Sequence, residues 1–199
     1  MRDKITEVAL ERFLQYGIRS MTIKKLVEPL GISTKTVYKY FTSKEELLAE
    51  CLRVLYTGYF HEFNLIMTAK DNAVNKLLIL FRGTYAKDFG TSHAFFYDLN
   101  YYYPDLQNAQ IGRTKNNYRT LMLPLIEKGI EEGYFSSYIR PEIALDGIVT
   151  LYTSITRSEK YRDYRYPHEL FKNLVEVYMR GMCTEKGIKE IDNNPYHKD

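Results

Sequence analysis

The most constraining feature of this sequence is a succession of short helical patterns between residues 20 and 48. Thr22 can cap a helix, because its hydroxyl accepts a hydrogen bond from an early N–H, and apolar residues follow it at helical spacing. Gly31 can end this helix in a left-handed conformation without a Cβ penalty, and Ser33 can cap a second short helix. The pattern therefore predicts two short helices joined by a tight turn.

A third helix is predicted directly after this pair. Ser43 and Glu46 have the S-x-x-E spacing of a capping box, and an apolar stripe continues from there to about Ala69. Two short helices joined by a glycine-containing turn form the helix-turn-helix unit that can enter a DNA major groove. The pattern alone leaves a second interpretation open, in which the pair is a solvated hairpin of some other all-α protein.

The second short helix carries side chains suited to DNA. Its outer face holds hydroxyls, a phenol and two lysines, which can bind phosphates and base edges. Between residues 19 and 44 there are six basic residues and one acidic residue, a surplus of five positive charges, although the whole chain carries only +3. Such a local surplus is the electrostatic pattern expected of a DNA-binding surface.

The residue content argues against several other classes of protein. Cys51 and Cys183 lie far apart among apolar neighbours, so we expect buried free thiols in a reducing cytosol. The N-terminus is charged, and no apolar run approaches the ~20 residues of a membrane helix, so we expect a cytoplasmic protein that does not bind membranes. No paired carboxylates, nucleophile–base set or metal cluster supports catalysis, so we expect neither an enzyme nor a cofactor or metal site.

The rest of the chain predicts an all-α fold of about nine helices, without strand alternation or internal repeats. We expect residues 1–47 to form a three-helix domain, in which an amphipathic first helix packs behind the helix-turn-helix. Residues 48–186 are expected to form a larger C-terminal helical domain. Residues 187–199 are expected to form a frayed polar tail.

The N-terminal quarter of the sequence resembles the DNA-binding domain of the tetracycline-repressor (TetR/AcrR) family of transcriptional regulators. Its most specific part is the Tyr-x-Tyr-Phe-x-Ser-Lys-Glu segment. Two positions depart from the family pattern, because Val27 replaces the usual alanine and Pro29 removes one N–H in the last turn of the first short helix. The positions that carry the resemblance are Gly17, Thr22, Ile23, Leu26, Gly31, Ile32, Ser33, Thr36, Val37, Tyr38, Tyr40, Phe41, Ser43, Lys44, Glu45 and Leu47.

The resemblance implies DNA contacts at matching positions. Four side chains would meet the phosphate backbone: Thr22, Tyr38, Tyr40 and Lys44. Five would reach base edges, although the last of them suits phosphate equally well: Lys24, Thr34, Lys35, Thr36 and Lys39. From the residues alone, Tyr40 could instead belong partly to the core, and Lys24 could be merely solvated.

The resemblance also implies that the C-terminal domain binds a small molecule and forms a homodimer. The last two long helices would pack against their symmetry mates through Ala144, Gly147, Ile148, Leu151, Phe171, Leu174, Val175 and Tyr178. A ligand pocket between the long helix that runs from Lys44 to about Ala69 and the three helices after it would be lined by Tyr59, Phe63, Phe81, Tyr85, Phe96, Tyr102, Tyr118 and Met122. Such stripes also occur in ordinary monomer cores, so the sequence alone leaves both roles open.

These expectations predict a repressor that binds a near-palindromic double-stranded DNA operator as a homodimer and is released by an unidentified small-molecule effector. The alternative from another class is an all-α carrier or enzyme whose helical hairpin binds no DNA. A third hypothesis is that the protein is an activator or co-regulator without ligand control.

Overall fold

The computed structural model confirms the all-α fold. It describes residues 1–157, 159–161, 164 and 166–194, without the side chains of residues 110–118, 159 and 167. The α-helices in this part of the chain are α1 (Arg2–Tyr16), α2 (Ile23–Val27), α3 (Thr34–Val37), α4 (Lys44–Thr68), α5 (Ala73–Phe89), α6 (His93–Tyr102), α7 (Pro104–Glu131), α8 (Pro141–Arg157), α9 (Pro167–Leu170), α10 (Val177–Met182) and α11 (Glu185–Asn193). Two 3-10 turns, Glu28–Leu30 and Glu159–Tyr161, and a π-helical segment, Phe171–Glu176, complete the helical structure.

The chain divides into two compact units, and each unit draws on two separate stretches of sequence. The first unit comprises Met1–His61 and Gly90–Lys115, and the second comprises Glu62–Phe89 and Asn116–Asp199. Helices α4 and α7 therefore contribute residues to both units. This division differs from the expected boundary at residue 48, because α6 belongs with the N-terminal helices.

The first unit has its own hydrophobic core, to which α1 and α6 both contribute. Helix α1 buries Ile5, Ala9 and Phe13 along one face. Helix α6 adds Phe95 and Leu99 to the same core, together with buried apolar residues of α2, α3 and α4. Helices of four or five residues are not stable alone in water, so α2 and α3 depend on this shared burial.

The second unit has a separate core with an aromatic centre. The ring centroids of Tyr85 and Phe171 lie 5.4 Å apart, and those of Phe81 and Tyr152 lie 5.8 Å apart. The Tyr152 hydroxyl donates a 2.7 Å hydrogen bond to the buried carboxylate of Asp88. This bond offsets the cost of burying two polar groups and ties α8 to α5.

Residues 167–182 form one continuous helix whose middle, Phe171–Glu176, is π-helical. The Glu176 carboxylate is buried there and pairs with Arg180 at 3.1 Å and with Arg82 of α5 at 3.5 Å. A buried carboxylate is costly without such partners. The pair with Arg82 therefore fixes the π-helical segment against α5, whereas the pair with Arg180 lies within the same helix.

The C-terminal segment is helical, which corrects the expectation of a frayed tail for residues 188–194. Thr184 caps α11 by accepting a 3.3 Å hydrogen bond from the Gly187 N–H. Ile191 is fully buried in the second core, and Asn194 donates a 2.7 Å hydrogen bond to Asn75. The apolar residues are too few for a conspicuous pattern, but they occupy one face of the helix. Residues 195–199 lie outside the described residues.

Both cysteines should be unreactive in the native protein. Burial raises the pKa of the Cys51 and Cys183 thiols to about 12. The nucleophilic thiolate is therefore scarce below that pH, and both sulfurs are also shielded. We expect no modification by a maleimide or an aromatic disulfide reagent at pH 8, measured by intact mass, and two modifications after unfolding in urea. Rapid labelling of the folded protein would contradict this assignment.

Candidate nucleic-acid interface

The first helix of the helix-turn-helix is capped as the sequence predicts. Thr22 has an extended backbone, and its hydroxyl accepts a 3.3 Å hydrogen bond from the Lys25 N–H. The α-helix ends at Val27, and Pro29 lies in the 3-10 turn that follows, where its missing N–H is tolerated. Gly31 then adopts a left-handed conformation with φ 62°, which reverses the chain.

The second helix, α3, is a short element with a buried anchor. Ser33 caps it by accepting a 3.1 Å hydrogen bond from the Thr36 N–H. Val37 is fully buried and fixes the helix on the core, while Phe41 does the same for the turn that follows. The anchored residues leave the remaining side chains of this segment facing outward.

Most of the predicted DNA contacts lie on this outward surface. Thr36 is half-buried, and its hydroxyl lies 3.0 Å from that of Ser33. Among the described residues, no carboxylate forms an ion pair with the lysines of this surface, so their charge is available to an external anion. The exposed residues of this set are Thr22, Lys24, Thr34, Lys35, Tyr38, Lys39 and Tyr40.

Lys44 differs from the other predicted phosphate contacts. Its Nζ donates a 2.6 Å hydrogen bond to the Ile18 carbonyl oxygen and lies 5.9 Å from the centre of the Phe13 ring. Burial lowers the pKa of this ammonium. The side chain thus ties the start of α4 to the loop before α2, and a phosphate contact from it stays a prediction.

The start of α4 is capped by a variant of the predicted capping box. Ser43 accepts a 3.1 Å hydrogen bond from the Glu46 N–H, as predicted. The Glu46 carboxylate, however, accepts hydrogen bonds from the N–H and hydroxyl of Thr42, at 2.6 and 2.7 Å, rather than from Ser43. These bonds lower the pKa of Glu46 and hold the turn between α3 and α4.

An acidic residue that sequence reasoning missed lies behind this surface. Asp98 of α6 is buried, and its Oδ2 accepts hydrogen bonds from the backbone N–H groups of Ile18 at 2.8 Å and Arg19 at 2.7 Å. The Arg19 guanidinium lies 4.0 Å from the centre of the Tyr102 ring. The sequence does show that Asp98 is an acidic residue within a strongly aromatic helix. Helical periodicity alone, however, does not indicate which groups such a residue would bind.

The predicted pocket residues fall into both units. Phe63, Phe81, Tyr85 and Met122 belong to the core of the second unit, whereas Phe96 belongs to that of the first. Tyr59 is half-buried, Tyr102 is exposed beside Arg19, and the side chain of Tyr118 lies outside the described residues. The roles of these residues in ligand binding stay predictions.

The predicted dimer residues also divide into two groups. Ala144, Ile148, Phe171 and Val175 are buried in the core of their own chain. Gly147, Leu151, Leu174 and Tyr178 are half-buried. The same helices expose apolar side chains that the sequence reasoning left out, at Ile143, Val149 and Val177, which are 64, 42 and 57 % exposed.

The described residues contain no group of three or more histidine, cysteine, aspartate or glutamate side chains arranged to hold a metal ion. No helix among them is long and apolar enough to cross a membrane.

Comparison with known proteins connects this surface to a family. Residues 5–51 match the family model described as bacterial regulatory proteins, tetR family. The transcriptional repressor KstR2 of Mycobacterium tuberculosis is 26% identical over 152 residues, covering 73% of this chain and 72% of the relative. KstR2 of Rhodococcus jostii is 24% identical over 146 residues, covering 72% of each protein.

Solved structures share the fold. A TetR transcription regulator from Haloarcula marismortui superposes with a TM-score of 0.76 at 19% identity, covering 92% of this chain and 98% of that one. The ketosteroid transcriptional regulator KstR2 of Mycobacterium tuberculosis superposes with a TM-score of 0.65 at 21% identity, covering 92% and 95%. The matched helix-turn-helix with its exposed basic face and the curated relatives identify the chain as a member of the TetR/AcrR family of DNA-binding transcriptional regulators, which are not enzymes.

Proposed function

We propose that this protein is a homodimeric repressor that binds a near-palindromic operator and leaves it when a small molecule binds the second unit. The observation that carries the proposal is the exposed lysine, threonine and tyrosine face of α3 and the turn after it, held outward by buried Val37 and Phe41. Curated relatives that cover most of the chain are named as repressors, which supports repression over activation. A regulator of this kind acts in the cytoplasm, where its operator would lie.

Base and phosphate contacts have separate roles in this proposal. The side chains of Thr34 and Lys35 open α3, and the N-terminal residues of a recognition helix are those that contact base edges. Tyr38 and Tyr40 follow the helix and present exposed phenols, which can donate to phosphate oxygens. We assign base reading to the start of α3 and backbone binding to the turn after it and to Thr22.

The dimer interface is assigned to the outer faces of α8 and the helix of residues 167–182. Ile143, Val149 and Val177 are exposed on these helices, and Leu151 and Leu174 are half-buried near them. The Tyr178 ring packs on Gly147, where a Cβ would lie 2.2 Å from the phenol oxygen, so the two helices of one chain approach closely. A four-helix contact between two chains would cover the exposed apolar side chains.

The effector site is assigned to the second unit. Its core contains closely packed aromatic rings, among them Phe81, Tyr85 and Phe171, next to the Arg82 guanidinium, which lies 5.6 Å from the centre of the Phe171 ring. Such a lining favours a largely apolar molecule with a polar group at one end. One solved relative, KstR2 of Mycobacterium tuberculosis, is a ketosteroid transcriptional regulator, so ketosteroids are a reasonable first class to screen.

Substitutions on α3 and in the turn after it should separate specificity from affinity. We expect Lys35→Ala to relax base preference at one position by about 1–3 kcal/mol, and Tyr38→Phe to weaken binding to all sequences about tenfold. Fluorescence anisotropy with a duplex selected from random sequence, across a salt series, measures both. Lys70→Ala is the control, because Lys70 is an exposed lysine of the second unit. Wild-type affinity that did not fall with salt would contradict DNA binding through this surface.

A charge placed on the exposed apolar face should dissociate the dimer. Val149→Glu and Val177→Glu would each bury two like charges at a symmetric interface, whereas the isolated chain has room for them at the surface. We expect dimers for the wild type and monomers for the variants in sedimentation velocity, with loss of tight operator binding. Val54→Glu, at an exposed valine of α4, should remain dimeric. Dimeric Val149→Glu and Val177→Glu proteins would refute this interface.

An effector must weaken operator binding by the same factor by which the operator weakens effector binding. For a ligand found by thermal-shift screening, we expect a factor of about 5–150 in each direction. Calorimetric titration of the ligand into the free protein and into the operator complex measures the coupling. A carrier that merely resembles a regulator would bind the ligand equally well in both titrations.

A further inference from the structure

The loop between α1 and α2 is held by hydrogen bonds from two helices, α6 and α4. Gly17 ends α1 with φ 81° and ψ 169°, a combination that is essentially restricted to glycine, and a Cβ at this position would lie 2.8 Å from the Cβ of Ala94 in α6. The loop therefore runs directly against α6. The fully buried Ile18 follows, and its peptide groups take part in the contacts that hold the loop.

Asp98 holds the loop from α6. One of its carboxylate oxygens accepts hydrogen bonds from the N–H groups of both Ile18 and Arg19, and Asp98 is only 7% exposed. Hydrogen bonds to an ionised acceptor are among the stronger ones in proteins. Without this acceptor, consecutive backbone N–H groups, one of them buried, would lose their partner, which is costlier than the bonds are worth on average.

Helix α6 is itself fixed to α1 by independent contacts. The Ser92 N–H, just before α6, donates a 2.8 Å hydrogen bond to the Leu14 carbonyl oxygen at the end of α1. Phe95 and Leu99 are buried in the core of the first unit. The Asp98 carboxylate is thus held by a helix that belongs to the same rigid core as the loop it binds.

Lys44 holds the loop from α4. Its Nζ donates to the Ile18 carbonyl oxygen at 2.6 Å, and Lys44 is the first residue of α4. A single residue, Ile18, is therefore bound through its N–H by α6 and through its carbonyl by the start of α4. Thr22, the cap of α2, follows four residues later. This segment of loop therefore connects the N-terminus of α2 to that of α4, in addition to the core that the two helices share.

We propose that Asp98 is a positioning residue for DNA binding, which acts by holding the Ile18–Arg19 backbone so that the start of α2 and the turn before α4 can engage phosphates together. The proposal rests on the operator binding proposed above. Asp98 itself is buried, so its proposed role requires no contact with DNA.

Three variants test the role of Asp98. Asp98→Ala removes the acceptor, and we expect about tenfold weaker operator binding together with a salt dependence reduced by about one phosphate. Asp98→Asn keeps a side-chain oxygen that can accept both N–H groups, so its affinity should stay within about threefold of the wild type. Tyr152→Phe deletes the buried hydrogen bond to Asp88 in the second unit, and both affinity and salt slope should match the wild type.

The salt slope separates positioning from a general loss of stability. Binding is measured by anisotropy at a temperature where circular dichroism shows each variant folded. An Asp98→Ala protein with wild-type affinity and slope would overturn the proposal, as would an equal loss in Tyr152→Phe. A wild type that bound no duplex would instead overturn the proposed function.

Amide hydrogen exchange of the free wild-type protein gives a test that needs no variant. The Ile18 and Arg19 amides should exchange more slowly than those of the neighbouring exposed loop positions, because both are bound by Asp98. Exchange of both at the rate of an unstructured peptide would overturn the proposal even if Asp98→Ala failed to fold.

Discussion

Helices α2 and α3 span only five and four residues, and this shortness is the constraint on which the interface depends. Helices of that length gain too few internal hydrogen bonds to offset the entropy of forming them. They persist because Leu26 and Val37 are buried in the core to which α1, α4 and α6 also contribute, and because Thr22 and Ser33 satisfy N–H groups at their starts. The exposed side chains that we propose to face DNA can then be almost entirely polar, since buried apolar residues hold the two helices in place.

Local signals in the sequence predicted the local parts of this design. Thr22, Ser33 and Ser43 accept the cap hydrogen bonds expected of them, and Gly31 takes the left-handed conformation that its position requires. These features depend on residues three or four apart, so a single sequence contains all the information needed. The terminal helix α11 was missed because its few apolar residues give a weak pattern, although packing makes Ile191 fully buried.

Contacts between residues far apart in the sequence could not be predicted from local patterns. Asp98 and Ile18 are 80 residues apart, and a carboxylate that binds backbone N–H groups requires no particular residue at the other end. Similarly, an apolar residue on α8 gives no indication of which neighbour covers it. Ile148 faces the core of its own chain while Val149, the next residue, is exposed. Periodicity identified the helix but not which of its apolar residues face outward.

The discontinuity of the first unit has a practical consequence. One way to give a regulator a new sensing property would be to join the N-terminal segment of one protein to the remainder of another. Here a junction within α4 would leave out residues 90–115. Phe95 and Leu99 form part of the core of the transplanted segment, and the Asp98 carboxylate accepts hydrogen bonds from its backbone. A functional chimera of this protein would need both stretches from the same parent, or a recipient helix redesigned to replace α6.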